Sequence, residues 1–155
     1  MPDVESIQPF LEPVRKAVVV RRTPAEAFEI FTARLGSWWP LGRFSLHQAE
    51  SLNARIEPRV GGRVYEIATE RREAEWGTVL AWAPPHSFVM SWHPGNDRAR
   101  ATEVEVRFLP EGDGTRVELE HRNWHRLGAE AAEGREGYSG GWAYVFEQCF
   151  VEACA

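Results

Sequence analysis

Cysteine is scarce in this chain, which has only Cys149 and Cys154. On a helix that spacing puts the two thiols on different faces, too far apart to bridge without unwinding. With no disulfide framework and no Cys-x-x-Cys pair, the sequence fits a reducing compartment, and both thiols are expected to be free. Long apolar runs are also missing. No stretch approaches the ~18–20 apolar residues of a membrane span. The first residues, with Asp3, Glu5, Pro9 and Glu12, lack the charged start and apolar centre of a secretory signal. A cytoplasmic location is expected, with no membrane contact. Positive charge is in deficit, 18 basic against 23 acidic residues for a net charge of −5. Non-specific nucleic-acid binding needs a basic face that displaces counterions, so nucleic acid is excluded as a partner. The one dense basic cluster, Arg15, Lys16, Arg21 and Arg22, reads as a solvated strand edge.

Several chemical signatures are absent as well. No Gly-rich loop follows a strand and opens a helix, so no nucleotide cradle is written here. Ser139, before Gly140-Gly141, lies inside a helical pattern and not at a nucleophile elbow. His121 and His125 share one side of a strand or helix, but no third ligand is spaced to complete a zinc site, and His93 belongs to another strand end. Neither metal nor cofactor is expected. There is no internal repeat and no low-complexity segment.

Aromatic residues, by contrast, are plentiful: seven Trp, eight Phe and three Tyr. Small domains use Trp sparingly, because the ring is large and its N–H wants a partner. So many imply either an unusually aromatic core or a pocket wall. The remaining composition, 43% hydrophobic and 26% charged over 155 residues, is that of one globular domain with a self-sufficient core.

Residues 1–13 read as an N-terminal extension and 14–155 as the domain. The β-branched run from Arg15 to Arg21 predicts a strand. Thr23-Pro24-Ala25-Glu26 is a helix start, with Thr at the N-cap, Pro at the first helical position and Glu at the third. The stripe Ala27, Phe28, Ile30, Phe31 and Leu35 carries that helix to Gly36, and Ser37-Trp38-Trp39-Pro40 begins a second short segment. From Ser51 to Trp124 the period is two. Strands are expected near 52–57, 64–69, 76–82, 87–92, 103–109 and 116–124, with the charged run Glu70–Glu75 as one hairpin turn and Glu111-Gly112-Asp113-Gly114 as another. Val104, Val106 and Phe108 share one face, as do Val117, Leu119 and His121, so this meander is apolar on one side and wet on the other. Over Glu133–Ala153 the period returns to 3.6. There Tyr138, Trp142, Val145, Phe146, Cys149, Phe150 and Ala153 form one stripe, which predicts Cys149 to be more buried than Cys154. The fold class is therefore α+β: a curved antiparallel sheet of six to seven strands wrapped on a long C-terminal helix, with two short helices after the first strand.

Specific residues carry a family resemblance. Val18–Thr23 followed by Pro24-Ala25-Glu26-Ala27-Phe28 resembles the opening strand and helix of the branch of the START-like (SRPBCC) superfamily named after the activator of the heat-shock-protein-90 ATPase. Glu57–Gly62 followed by Arg63 resembles its Pro-Gly-Gly-Arg turn. Gly77-Thr78-Val79-Leu80, Pro84-Pro85 and Ser91-Trp92 resemble its central strand pair. Gly114-Thr115-Arg116-Val117 leading to Glu120-His121-Arg122 resembles its last strand. The resemblance spans about residues 14–153 and implies the helix-grip fold. The superfamily includes lipid carriers, aromatic polyketide cyclases, hormone receptors and co-chaperones, all using the groove under the long helix. What it implies is a cavity, not a reaction.

The candidate ligand-binding residues are Phe28, Phe31, Trp38, Trp39, Trp76, Trp92, His121, Tyr138, Trp142 and Phe146. These side chains either wall a pocket for a small apolar or aromatic molecule or fill the groove themselves. Gly137, Gly140 and Gly141 cost the helix about 1 kcal/mol each relative to Ala, which either a close approach of sheet or ligand offsets or a frayed helix start near 140 explains. Glu66 and His121 offer an acid–base pair, against the plainer reading of His121 as a core histidine bonded to a backbone carbonyl. The expected function is binding of a small apolar ligand, with no catalytic residue assigned. The alternatives are an enzyme of the cyclase or dehydratase type using His121 and a co-chaperone-like interaction module. The activator proper pairs this fold with an additional N-terminal domain, and thirteen residues precede the first expected strand here, which places protein interaction last. A homodimer is left open.

Overall fold

The computed structural model describes residues 10–155; most of the extension expected over 1–13 lies outside them. The β-branched run forms β1 (Val14–Val20), and α1 (Pro24–Phe31) starts as the sequence dictates. The Thr23 hydroxyl accepts from the Glu26 N–H at 3.2 Å, and the Glu26 carboxylate accepts from the Thr23 N–H at 3.1 Å. This capping box satisfies donors that the first turn cannot. The short α2 (Leu35–Trp38) follows, and a loop over residues 39–50 leads to the sheet strands.

Strands β2 (Ser51–Ile56), β3 (Arg63–Ala68), β4 (Glu73–Ala83), β5 (Ser87–Trp92), β6 (Thr102–Glu111) and β7 (Gly114–Arg122) form a meander that β1 closes on the β7 side. The result is a curled seven-stranded antiparallel sheet in the order β1-β7-β6-β5-β4-β3-β2. Register shifts at Val64/Tyr65 and Val79/Ala81 bend it. Gly77 is required at the bend, because a Cβ there would land on the Ser91 carbonyl oxygen.

Two local expectations are corrected. The charged run 70–75 is not all turn: Glu70 and Arg71 take positive φ in a tight turn, but Glu73 and Glu75 already belong to β4. Ion pairs explain the difference, since Arg63 of β3 meets Glu73 at 2.9 Å and Arg98 of the β5–β6 connection meets Glu75 at 2.6 Å. Leu52 does not share the inner face with Ala54 and Ile56. It is 64% exposed, because the register slips between Ser51 and Asn53.

The C-terminal helix runs as α3 (Ala131–Tyr144), a π-helical stretch (Val145–Phe150) and a last turn, α4 (Val151–Ala153). Trp142, Phe146, Phe150 and Cys154, spaced by four, are all buried. A regular α-helix would rotate such a stripe away from the sheet within a few turns. The wider π turns hold it in place. The extra residue also reverses the cysteine expectation, since Cys154 is 2% exposed while Cys149 is half-buried. Burial pushes the Cys154 thiol up to about 11.

Phe31, fully buried, joins α1 to the sheet and the helix, with ring centroids 5.5 Å from Phe88, 6.3 Å from Phe108 and 5.1 Å from Phe150. Phe28 meets Trp82, Phe88 and Phe108 at 5.1–5.8 Å. This end of the groove is solid.

Candidate functional site

At the other end the groove is open. A cavity of about 380 Å³ lies between α3 and the inner face of β4 and β5, within the ~300–1,000 Å³ range of small-molecule sites. Trp76 and Trp92 form its floor, Tyr138 and Trp142 come from α3, and Trp39 and the loop from Arg43 to Leu46 close one side. The indoles brace one another: Trp39 lies 5.1 Å from Trp76, 5.9 Å from Trp92 and 5.8 Å from Trp142.

The glycines account for the space. Gly134, Gly137 and Gly141 face the cavity from the middle of α3, whose start at Ala131 disposes of a frayed helix near 140. A Cβ on Gly137 would meet no atom within 4 Å, and one on Gly141 would only touch Phe44 Cε1 at 3.7 Å. At these two positions it is therefore not close packing on the sheet that excludes a side chain. One helix face carries both halves of the groove: bulky Phe146 and Phe150 fill one end, and bare backbone leaves the other empty.

Hydrogen bonds set most of the wall. Trp39 Nε1 donates to the Phe44 carbonyl at 2.7 Å, which ties the loop to the indole it covers. Glu66, fully buried, accepts from Trp76 Nε1 at 2.7 Å, from the Leu46 and His47 N–H groups at 2.7 and 3.0 Å, and contacts His47 Nδ1 at 2.9 Å. Burial pushes this carboxyl up, but the four contacts outweigh it and hold it below its ordinary value. Trp92 differs. Its Nε1, though buried, makes no well-formed hydrogen bond. It lies near enough to the Tyr138 hydroxyl to oppose the upward push that burial gives that phenol.

His121 sits behind the wall. Trp142 Nε1 donates to its Nδ1 at 3.0 Å, so the neutral ring carries its proton on Nε2, which faces Thr102 Oγ1 at 2.6 Å. Thr102 in turn donates to the Trp92 carbonyl at 3.2 Å. Burial drives the imidazole pKa down to about 3. His121 and Glu66 belong to separate networks, so the acid–base pair considered from sequence is not assembled. His121 is a core histidine, but its ring meets the Trp142 indole and the Thr102 hydroxyl and not the backbone carbonyl expected.

Of the ten candidates, Trp39, Trp76, Trp92, Tyr138 and Trp142 line the cavity. Phe28, Phe31, Trp38 and Phe146 are filler: Trp38 packs 5.2 Å from Phe31 and 5.4 Å from Phe150 and donates to the Ile30 carbonyl, and Phe146 stacks on Phe150. Sequence reasoning missed Arg43, Phe44, Ser45, Leu46 and Pro94, because loop residues have no period from which to read a face. It also missed Gly134 and Val145. Gly137 and Gly141 had a signal in their propensity cost. Among the described residues no cluster of His, Cys, Asp or Glu could hold a metal ion, and no helix is long and apolar enough to cross a membrane.

The family model of the activator of Hsp90 ATPase homolog 1-like proteins matches residues 21–150. The chain belongs to this family. Its helix-grip, START-like architecture is the one that the motifs implied. Among solved structures, the family member is similar to an anthrahydroquino-gamma-pyrone synthase, Txn09, with 35% identity, a TM-score of 0.64 and coverage of 94% of this chain and 99% of that one. It is also similar to the self-sacrificing resistance protein CalC from Micromonospora echinospora, with 26% identity, a TM-score of 0.62 and coverage of 91% and 92%. A protein from Bacillus halodurans, 15% identical with a TM-score of 0.68 over 96% of this chain and 100% of that one, shares the fold. No curated protein matches the sequence.

Proposed function

We propose that this protein binds a flat, largely apolar aromatic molecule in the cavity between α3 and the β4–β5 floor. The glycine face of α3 opposite Trp76 and Trp92, flanked by Trp142 of the same helix, carries the reading. Each glycine gives up about 1 kcal/mol of helix propensity, and at Gly137 and Gly141 a side chain would meet open space or an ordinary contact. Indole walls suit flat rings, which gain both apolar burial and offset stacking. The likeness to a synthase named for a polycyclic aromatic product supports this ligand class.

Tryptophan fluorescence titrated with 2-(hydroxymethyl)anthraquinone tests the reading. Saturable quenching is expected in the wild type. Gly141→Leu should extend a side chain past Phe44 into the cavity, weakening binding roughly tenfold or more while leaving the thermal midpoint unchanged or raised. Equal quenching in the variant, or none in either protein, would overturn it.

A second reading, an enzyme of the cyclase kind, is favoured by the 35% identity to the synthase. The cavity would then act by holding a flexible substrate folded for ring closure. His121 does not suit the role of base, because Trp142 occupies its free lone pair and the ring lies outside the cavity.

A further inference from the structure

Among the described residues, Arg43 is the only Lys, Arg, Asp or Glu in the cavity lining. Its guanidinium carbon lies 5.4 Å from the ring centroids of both Phe44 and Tyr144, which are themselves 5.6 Å apart. Among the described residues the guanidinium makes no hydrogen bond and no ion pair, and only the backbone N–H of Arg43 is engaged, by the Pro40 carbonyl. Two aromatic faces thus hold the cation in place while its N–H edge, with up to five donors in a rigid fork, stays unused. The site is also polarised in depth. Trp76 and Trp92 at the floor are 1% and 5% exposed, whereas Leu46 in the loop that carries Arg43 is 45% exposed. The cavity therefore has an apolar aromatic floor and a cationic mouth, with no acid among the described lining residues to neutralise that mouth.

We propose that the ligand of this site is an aromatic acid, its flat apolar body against Trp76, Trp92 and Trp142 and an anionic oxygen, carboxylate or ionised phenol, at Arg43. This rests on the binding reading above and narrows it. A guanidinium fork matches two oxygens of a carboxylate, which an ammonium point charge does not reproduce. Being already held by two rings, the Arg43 side chain has less freedom to lose on binding. Arg43 is thus a specificity-determining residue: it selects charge, while the indoles supply affinity for the ring system.

Calorimetric titration with two probes of one ring system decides the matter: anthraquinone-2-carboxylate and neutral 2-(hydroxymethyl)anthraquinone. At low salt the wild type is expected to prefer the carboxylate by about tenfold, the scale of one partly screened charge-assisted contact, and to lose much of that preference as salt is raised. Arg43→Gln should abolish the preference by weakening carboxylate binding alone, and Gly141→Leu should weaken both probes alike. Equal affinities in the wild type, or an Arg43→Gln variant that weakens both probes equally, would overturn the charge selection and leave the binding reading standing. Failure of both probes to bind would remove both readings.

Discussion

At the residue scale, His121 shows how a titratable group serves by staying neutral. It receives the Trp142 indole on one nitrogen and meets Thr102 on the other, so it fixes one wall of the cavity and, through Thr102, touches the strand that carries Trp92. Its pKa falls from an ordinary 6.5 to about 3 because burial penalises the charged ring. The folded state therefore binds fewer protons than the unfolded state between those values, and stability must rise with pH across that window and level off above it. One such group gives a slope of roughly 1.4 kcal/mol per pH unit. Urea midpoints between pH 5 and 7 isolate it, since carboxylates dominate below. The wild type should show the acid-side loss, and His121→Gln, less stable at pH 7, should show a shallower slope. Parallel slopes would mean that His121 is not neutral in the native state.

At the element scale, the C-terminal helix is where a regular period misleads. An ideal stripe through 138, 142, 145, 146, 149 and 153 points Cys149 inward, and the π-helical stretch at Val145–Phe150 hands that place to Cys154. The energetic reason is visible in the rings. Phe146 and Phe150 stack at 5.6 Å and both face Phe31, contacts that the wider turn keeps on the sheet side. Thiol labelling of the native protein should therefore modify Cys149 well before Cys154, whose thiolate is doubly hindered by burial and raised pKa. Faster reaction at Cys154 would refute the π-helical register.

At the scale of the whole molecule, Glu66 couples the loop that roofs the cavity to the sheet beneath it. One buried carboxylate holds Leu46 and His47 of the loop and Trp76 of the floor. Glu66→Gln replaces an acceptor facing only donors with a group that also donates, leaving buried N–H groups unpaired at about 1–3 kcal/mol. Amide exchange at Leu46 and His47 should accelerate about tenfold or more in the variant, with smaller changes in β6 and β7. Because the carboxyl sits below its ordinary range, the wild-type latch should persist through mildly acidic pH and open only as pH falls through that lowered value. Unchanged exchange at both amides would show that the loop is held by packing alone.

The sequence by itself determined the strand meander, the capped first helix, the long C-terminal helix and the inward set Val104, Val106, Phe108, Val117, Leu119 and His121. Alternation and capping act within an element or between neighbours, so they can be read one residue at a time. Only the tertiary structure decided which aromatics wall the cavity and which fill it. The sequence offers Phe31 and Trp39 alike as candidates for the groove, but filling depends on what the facing element sends across it. Opposite Phe31 that is Phe146 and Phe150; opposite Trp76 and Trp92 it is a helix bare at Gly137 and Gly141. The mouth was hidden for a related reason. Arg43 to Leu46 lie in a loop, and a loop takes its orientation from anchors elsewhere in the chain, here Glu66 at the sheet and the Trp39 indole.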